Sequence, residues 1–532
     1  MSLAADWIKQ GQKEKLWSKY CGHYDLSIPE YMEIQERLLL EQFAIWKDSE
    51  IGKHFFGNNM PKSVQEFRER VPLTTYEDYV DFLLEQDESK LPKQHYRWAR
   101  TSGRSGKYKC KWVPLTDRMY EESHGAVAIS AMILSSCSYK GDVKLEVDDT
   151  LLLATAPLPY SSGYVSHATA DLLQARFVPP LEEGEKMEFA ERIAAGFSQG
   201  METGIDYFYG LASVLAKMGE KFEQGAGSSK SSMKNMKLKT ILRLLKGLIV
   251  SKLNHRKMLP KDIWKLKGVM TGGMDTDIYR EKVEYYWGKK PLEGYGSTEG
   301  GMQCLQGWNY KGMTFYPHLN FYEWIPLEEH LKNKADPNYV PKTLLTDELE
   351  PGIYEIVFTN LLGGVFMRYR VGDMFTVESI GDAEINVALP QFRFYSRGDD
   401  MIDLSNMVRF TEKSIWQAIN KSNIDYVDWT AKKEIEDGKP ILHLYIEFKK
   451  PDHLPMEEVH RLVEDNIRAI HPDYAGLEEI MGNHNLKISA LPCGAFEHYM
   501  QSQHAAGADL AHIKPPRMQP KEHLFEKLIN MD

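Results

Sequence analysis

Apolar residues recur at helical spacing from Tyr31 to Trp46, so one face of that segment is expected to pack on a core. Pro72-Leu-Thr-Thr-Tyr-Glu77 offers a further helix start, with Thr74 or Thr75 as its cap. Residues 1 to about 90 therefore read as helices. Beyond them the period changes. Lys109-Cys-Lys-Trp-Val-Pro114 alternates like a strand, Glu122 to Leu134 reads as a buried helix, and Thr150-Leu-Leu-Leu-Ala-Thr-Ala156 is a short apolar run between turn signals. Such a run suits a strand buried on both faces. Met187 to Gly196 and Asp206 to Phe222 are expected helices; Leu266 to Met270 and Pro291 to Tyr295 are expected strands running into glycine-containing turns. Strands alternating with helices predict an α/β fold with mostly parallel sheets and flanking helices. Ligands then belong at loops beyond the strands' carboxyl ends.

From about Phe394 the texture becomes that of a small α+β module, with a helix over Glu412 to Asn420, a strand over Leu442 to Phe448 and a helix over Met456 to Ile470. The expected organisation is a large N-terminal domain over 1–396, a hinge at 397–403 and a small mobile domain over 404–532. At 532 residues, two or more domains are the default. Lys+Arg 65 against Asp+Glu 76 leaves 65 − 76 = −11, which argues against a nucleic-acid binder driven by bulk charge. The N-terminus has no apolar run of signal-peptide length, and the most apolar stretches, Gly125 to Leu134 and Leu151 to Leu158, are too short to span a bilayer. Five scattered cysteines without metal-ligand spacing fit a reducing cytoplasm.

Three stretches carry the chemistry: Thr101-Ser-Gly-Arg-Ser-Gly106, Tyr295-Gly-Ser-Thr-Glu-Gly300 and Tyr369-Arg-Val-Gly-Asp373. In that order they suit an enzyme that holds ATP and activates a carboxylic acid as its adenylate. The first loop, with Thr101, Ser102, Gly103, Arg104, Ser105, Gly106, Lys107 and Lys109, joins hydroxyls, small residues and cations around phosphates. In the second, the Glu299 carboxylate suits Mg²⁺, a hard cation that takes a few oxygen ligands plus water and phosphate. In the third, Asp373 can accept both ribose hydroxyls. No Gly-Lys-Ser/Thr opens a helix, so the first loop is not a Walker A motif.

These motifs resemble the adenylate-forming enzymes and, more specifically, the auxin-responsive acyl acid amido synthetases. The more specific matches are Ile263-Trp264 followed by Val269-Met-Thr-Gly-Gly-Met274, Tyr285-Tyr-Trp-Gly with Pro291-Leu, Thr359-Asn with Phe366 to Met374, and Ile513-Lys-Pro-Pro-Arg517. They span roughly residues 95 to 517. Arg104 departs from the family's threonine, and the loop is one residue shorter than usual; a guanidinium still forks onto phosphate oxygens.

The resemblance implies the adenylate-forming fold, with ATP and Mg²⁺ as cofactors and Glu299 as the metal ligand. It implies adenine contacts from Gly272, Gly273 and Tyr295 within the Tyr295, Gly296, Ser297, Thr298 and Glu299 segment, ribose contacts from Asp373 and Arg397, and a hinge at Asp399. Lys514 is the candidate catalytic lysine of the small domain, with Lys521 as its rival, and Arg104 is counted with the catalytic groups. Tyr160, His167 and Arg118 are candidates to face the acyl group, although packing or a surface role suits each as well; Arg370 equally suits a structural ion pair. The implied reaction is ATP-dependent formation of acyl-AMP, then transfer to an amine, an amino acid by preference. The alternatives are thioester formation with coenzyme A and a non-catalytic nucleotide-binding relative. Lys230 to Lys257 reads as a basic amphipathic segment that can lie on a membrane or meet an anionic ligand; one face on the domain and the other in water is the preferred reading.

Overall fold

A computed structural model describes residues 3–57, 59–101, 110–225, 238–272, 276–398, 400–404, 408–436, 439–472, 474, 485–505 and 513–530. The expected loop residues Ser102, Gly103, Arg104, Ser105, Gly106, Lys107 and Lys109, together with Gly273 and the hinge residue Asp399, lie outside these. The chain forms two compact units, one of residues 1–371 with 375–394 and one of residues 372–374 with 395–532.

The first unit opens on helices. Ile28–Trp46 begins at a capping box in which the Ser27 backbone N–H donates to Glu30 Oε2 at 2.8 Å, and it buries Tyr31, Leu38, Leu39, Phe43 and Trp46. Buried Gln35 on the same face donates to the carbonyls of Pro317 and Asn320 and accepts from the Tyr322 N–H at 3.0 Å. The helix thereby fixes the strand that carries Asn320. Thr75 caps a short 3-10 turn, Tyr76–Tyr79, with Asp78 completing the box.

Among the described residues thirteen strands follow: β1 (Tyr96–Arg100), β2 (Trp112–Thr116), β3 (Thr150–Leu153), β4 (Arg176–Val178), β5 (Tyr207–Gly210), β6 (Gly268–Gly272), β7 (Leu292–Ser297), β8 (Gly301–Gln306), β9 (Met313–Phe315), β10 (Asn320–Pro326), β11 (Gly352–Asn360), β12 (Tyr369–Ser379) and β13 (Gln391–Arg397). β1 and β2 make an antiparallel hairpin; the other eleven form one sheet in the order β10-β11-β12-β13-β9-β8-β7-β6-β5-β3-β4. The α/β architecture is realised in the half from β4 to β7, where neighbours run parallel. Helices Ser161–Leu173, Phe189–Thr203, Ala212–Gly225, Leu238–Leu253 and Thr276–Trp287 lie in its crossovers. From β7 onward β7–β8, β8–β9, β9–β13 and β10–β11 pair antiparallel.

Two segments depart from expectation. Asp206 to Phe222 is not one helix: Tyr207–Gly210 is β5 and the helix starts at Ala212. Buried Tyr207 and Phe208 favour an extended backbone, and pairing on both sides with β3 and β6 secures it. The expected helix from Glu122 begins as a π-helical turn over Tyr120–Ala126 and becomes α-helical at Val127–Ser136.

The second unit carries the hairpin β14 (Ile402–Leu404) and β15 (Val408–Phe410), then a sheet of β16 (Tyr426–Glu436), β17 (Lys439–Phe448) and β18 (Leu486–Ala490), antiparallel then parallel. Helices Glu412–Lys421 and Met456–Ile470 fall where the sequence predicts them, the latter burying Val459, Val463 and Ile467. The tail docks on β16: the Ala431 N–H donates to the Arg517 carbonyl at 2.7 Å, and the Gln519 N–H to the Ala431 carbonyl at 2.8 Å. Among the described residues no helix is long and apolar enough to cross a membrane.

Candidate active site

β6 and β7 run side by side; β6 ends at Gly272, paired to Gly294, and β7 runs on to Ser297. That ending sets the site. Tyr295 is buried in the first unit, its ring edge-on to Phe375 at 4.8 Å and stacked with Phe394 at 6.0 Å. A β-bulge follows at Gly296, where a Cβ would stand 2.7 Å from the Gly301 carbonyl, so a side chain there would spread the hairpin. Ser297 closes the turn by accepting from the Gly300 N–H at 3.0 Å and from Gln303 Nε2 at 3.3 Å. Gly301 has φ +68, the left-handed conformation that lets β8 return.

Two buried amides clamp this turn from β10 and β11. Asn320 donates to the Gly300 carbonyl at 2.9 Å, Asn360 donates to the Glu299 carbonyl at 3.1 Å, and Asn360 also donates to Asn320 Oδ1 at 2.9 Å. The Glu299 side chain is thereby held at a fixed place, 5% exposed.

Its carboxylate meets two groups. The Tyr369 hydroxyl donates to Oε1 at 3.0 Å, and the Lys111 ammonium stands 3.6 Å from the same oxygen and 3.5 Å from the Tyr369 hydroxyl. Burial first, and then the neighbouring Glu299, push the Tyr369 phenol well above its ordinary pKa, so it remains a donor. Lys111 reaches this position because the hairpin closes on itself. The Thr101 N–H donates to the Lys111 carbonyl at 3.0 Å, and the Lys111 N–H donates to Thr101 Oγ1 at 3.1 Å. The Tyr76 hydroxyl binds both backbone groups of Trp112, at 3.0 and 2.9 Å, and the Tyr76 ring lies 5.2 Å from the Lys111 ammonium. Thr101, at the base of the expected phosphate loop, is thus brought beside Glu299's cationic partner.

Lys111, Tyr369, Asn320 and Asn360 are absent from the sequence-based set of site residues. Lys111 is separated from the loop cations only by Cys110, which makes it indistinguishable from them in the sequence; Asn360 and Tyr369 sit inside segments whose family resemblance was legible.

The other expected residues are placed as follows. Thr298 is half-buried in the turn. Asp373 and Arg397, both in the second unit, face each other with Nε 3.6 Å from Oδ1. Arg370 forks onto Glu355 at 2.8 and 2.7 Å, and Glu355 also holds His330, so Arg370 is a structural ion pair. Tyr160 is buried, with its hydroxyl accepting from Arg100 and the guanidinium 4.6 Å from its ring centroid. His167 pairs with Glu185 at 2.8 Å, and Arg118 is exposed beside β2. Lys514 and Lys521 are exposed; Lys514 lies in the tail segment docked on β16.

A narrow apolar cavity of about 20 Å³ opens between β3, β5, β6 and the helix Val127–Ser136, lined by Met132, Leu151, Tyr209, Met270 and Met302 among others. Tyr160, His167 and Arg118 are not in its lining. At that size it holds a water or so as it stands, and its methionines are the side chains best able to repack.

Among the described residues no group of three or more His, Cys, Asp or Glu is placed to hold a metal. At Glu299 a divalent cation would meet a carboxylate whose contacts, among the described residues, fall on Oε1. That donor set fits Mg²⁺, which takes one or two carboxylates together with water and substrate phosphates.

Sequence profiles of three domains match the chain: the GH3 family N-terminal domain over residues 27–190, the GH3 family central domain over 313–397 and the GH3 family C-terminal domain over 404–523. No curated protein matches by sequence. Among solved structures, AtGH3.15 acyl acid amido synthetase in complex with 2,4-DB superposes with a TM-score of 0.62 at 17% identity, covering 98% of this chain and 95% of that one. 2-Hydroxyisobutyryl-CoA ligase in the postadenylation state with 2-HIB-AMP gives a TM-score of 0.52 at 12% identity, over 92% of this chain and 87% of that one. Likeness at these identities is likeness of fold, and the fold is that of adenylate-forming enzymes.

Proposed function

The chain belongs to the GH3 family, and on that premise we propose that it is a ligase that activates a carboxylic acid with ATP and passes the acyl group to an amine. The amine is an amino acid by preference and the product an amide. The observation that carries this reading is the buried Glu299 carboxylate beyond β7, bonded by Tyr369 and faced by Lys111 at 3.6 Å.

In the first half-reaction a substrate carboxylate oxygen attacks the α-phosphorus of ATP, and the bond to pyrophosphate breaks. No enzyme nucleophile is needed, so the protein's work is positioning and charge neutralisation. Glu299 would hold Mg²⁺, which when bound supplies charge neutralisation on the phosphates. Lys111 joins Arg104, Lys107 and Lys109 as the cations offered to those phosphates. Tyr369 keeps Glu299 in one rotamer by donating to it. Asp373, with Arg397 beside it, takes the ribose hydroxyls; Tyr295, Gly272 and Gly273 take the adenine. In the second half-reaction the amine nitrogen attacks the acyl carbon, AMP leaves with the carboxyl–phosphate oxygen, and the nitrogen loses its proton. Lys514 is the small unit's contribution, Asp399 its hinge, and the cytoplasm the compartment. With its methionines repacked, the apolar cavity lined by Met132 and Met270 would take the hydrocarbon part of the acid.

The test is pyrophosphate release from Mg·ATP with pooled aryl, indolyl and aliphatic acids, adding amino acids and coenzyme A in separate arms. Release that needs both an acid and an amino acid, with amide found by mass spectrometry, supports the proposal. Turnover confined to the coenzyme A arm moves the protein to thioester formation. Nucleotide binding without turnover in any arm contradicts the ligase reading.

A further inference from the structure

The helix Leu238–Leu253 faces its domain with the wrong side. Its buried residues are Thr240, Gly247 and Ser251. Thr240 Oγ1 donates to the Met201 carbonyl at 3.4 Å, and the Arg243 guanidinium donates to the carbonyls of Gly200 and Met201 at 3.0 and 2.9 Å. A Cβ on Gly247 would stand 2.8 Å from the Met258 sulfur, so the packed face is close as well as polar. Leu244 is the large apolar side chain that joins it.

The other leucines point outward. Leu238, Leu242, Leu245, Leu248, Ile249 and Leu253 are between 44% and 75% exposed. Single exposed apolar residues are ordinary, whereas six on a helix of 16 residues make a patch. At helical spacing 238, 242, 245, 249 and 253 form one stripe, on the side away from Thr240, Gly247 and Ser251. Lys239 and Lys246 border one edge of that stripe and Lys252 the other.

The charge pattern says what covers it. Within 238–253 there are four cations, Lys239, Arg243, Lys246 and Lys252, and no acid, in a chain whose net charge is −11. A second copy of so basic a helix would set like charges against each other. A bilayer surface bearing anionic lipid offers an apolar layer for the stripe and phosphates for lysines that extend along its edges. The helix is too short to span, since about 20 apolar residues are needed.

We propose that Leu238–Leu253 docks this protein on anionic membrane surfaces, lying in the interface plane with its leucine stripe at the headgroup–acyl boundary. The binding stands apart from the proposed ligase activity and is read without turnover.

The experiment is co-sedimentation of the full chain with vesicles of phosphatidylcholine alone and with vesicles of equal parts phosphatidylcholine and phosphatidylglycerol. The wild type pellets with the mixed vesicles, releases as salt is raised, and stays in solution with phosphatidylcholine alone. Leu242→Glu/Ile249→Glu, at exposed positions, lowers the bound fraction about tenfold or more, and Lys239→Glu/Lys246→Glu lowers it on mixed vesicles, both with thermal melts like the wild type. Absence of pelleting with mixed vesicles, or pelleting indifferent to Leu242→Glu/Ile249→Glu, overturns the proposal. So does a dimer in light scattering that this double variant dissolves while no vesicle binding is seen.

Discussion

The hydroxyl of Tyr369 donates to Oε1 of Glu299 across 3.0 Å, although 70 residues of chain separate the two. The bond ties two of the motifs together, the turn after β7 and the start of β12. It also makes a prediction. Tyr369→Phe keeps the ring that packs on Phe366 at 4.5 Å but leaves Glu299 without its donor. A hydrogen bond to a charged group is worth about 1.5–3 kcal/mol, so acid-dependent pyrophosphate release should fall by roughly one to two powers of ten. The thermal midpoint should move far less than in a cavity-forming variant, and a melt beside the kinetic assay checks both.

Lys111 gives a prediction that separates it from the loop cations. Lys111→Met keeps an unbranched side chain and removes the ammonium, which stands 3.6 Å from Glu299 and 5.2 Å from the Tyr76 ring centroid. Loss of one preorganised charge contact in a transition state costs about 2.7–4 kcal/mol, so turnover should drop about a hundredfold or more. Activity within a few-fold of wild type would remove Lys111 from the site.

Arg517 is expected to act through stability. Its guanidinium forks onto Asp428 at 2.7 and 3.0 Å, reaches Glu412 at 3.1 Å, and lies 3.6 Å from the Trp416 ring centroid. Burial alone would lower its pKa; Asp428 and Glu412 outweigh that and raise it, so it stays charged. Arg517→Ala would leave two largely buried carboxylates uncompensated, a loss of about 3–5 kcal/mol. Denaturant titration should show the second unit destabilised, and Arg517→Lys should rescue only part, since an ammonium cannot reproduce the fork.

Acid should weaken the fold before its carboxylates titrate. His124 is fully buried in the π-helical turn, its Nε2 3.0 Å from Ser161 Oγ and its Nδ1 3.0 Å from Ser123 Oγ. Burial lowers its pKa from 6.5 to about 4, and does the same for His318. Between those values the unfolded chain binds the proton and the folded chain does not. Stability is therefore full above pH 6.5 and falls as pH drops toward 4, by up to about 3 kcal/mol for His124, with His318 acting in the same direction. Denaturation midpoints measured at pH 7 and at about pH 5 should show the loss, and His124→Gln should flatten the slope.

Much of this was legible in the chain, and the failures have physical causes. The helices Ile28–Trp46 and Met456–Ile470 show a clear period, and the strand Thr150–Leu153 shows a continuous apolar run. The turn Ser297–Gly300 was readable because its small residues, hydroxyls and carboxylate occur together. β5 was hidden because Tyr207 to Gly210 runs without a break into an apolar helical pattern. Lys111 was hidden because its role depends on a hairpin register, Arg100 opposite Trp112, that no local pattern announces. Lys230 to Lys257 reads in the sequence as basic and amphipathic; the helix described within it is Leu238–Leu253, and the sequence did not give which face turns inward. The close backbone approach at Gly247 and the carbonyls of Gly200 and Met201 decide that, and they lie outside the helix's own periodicity.

The central claim, that Glu299 serves adenylation, is met most directly by acid-dependent exchange of labelled pyrophosphate into ATP, comparing wild type with Glu299→Gln. The variant retains the size of the side chain and can still accept from Tyr369, so its melt should match the wild type. The account predicts exchange in the wild type once the acid is supplied, and a loss of about a hundredfold or more in Glu299→Gln. Exchange within about twofold of wild type would contradict it, and would place the chemistry away from Glu299.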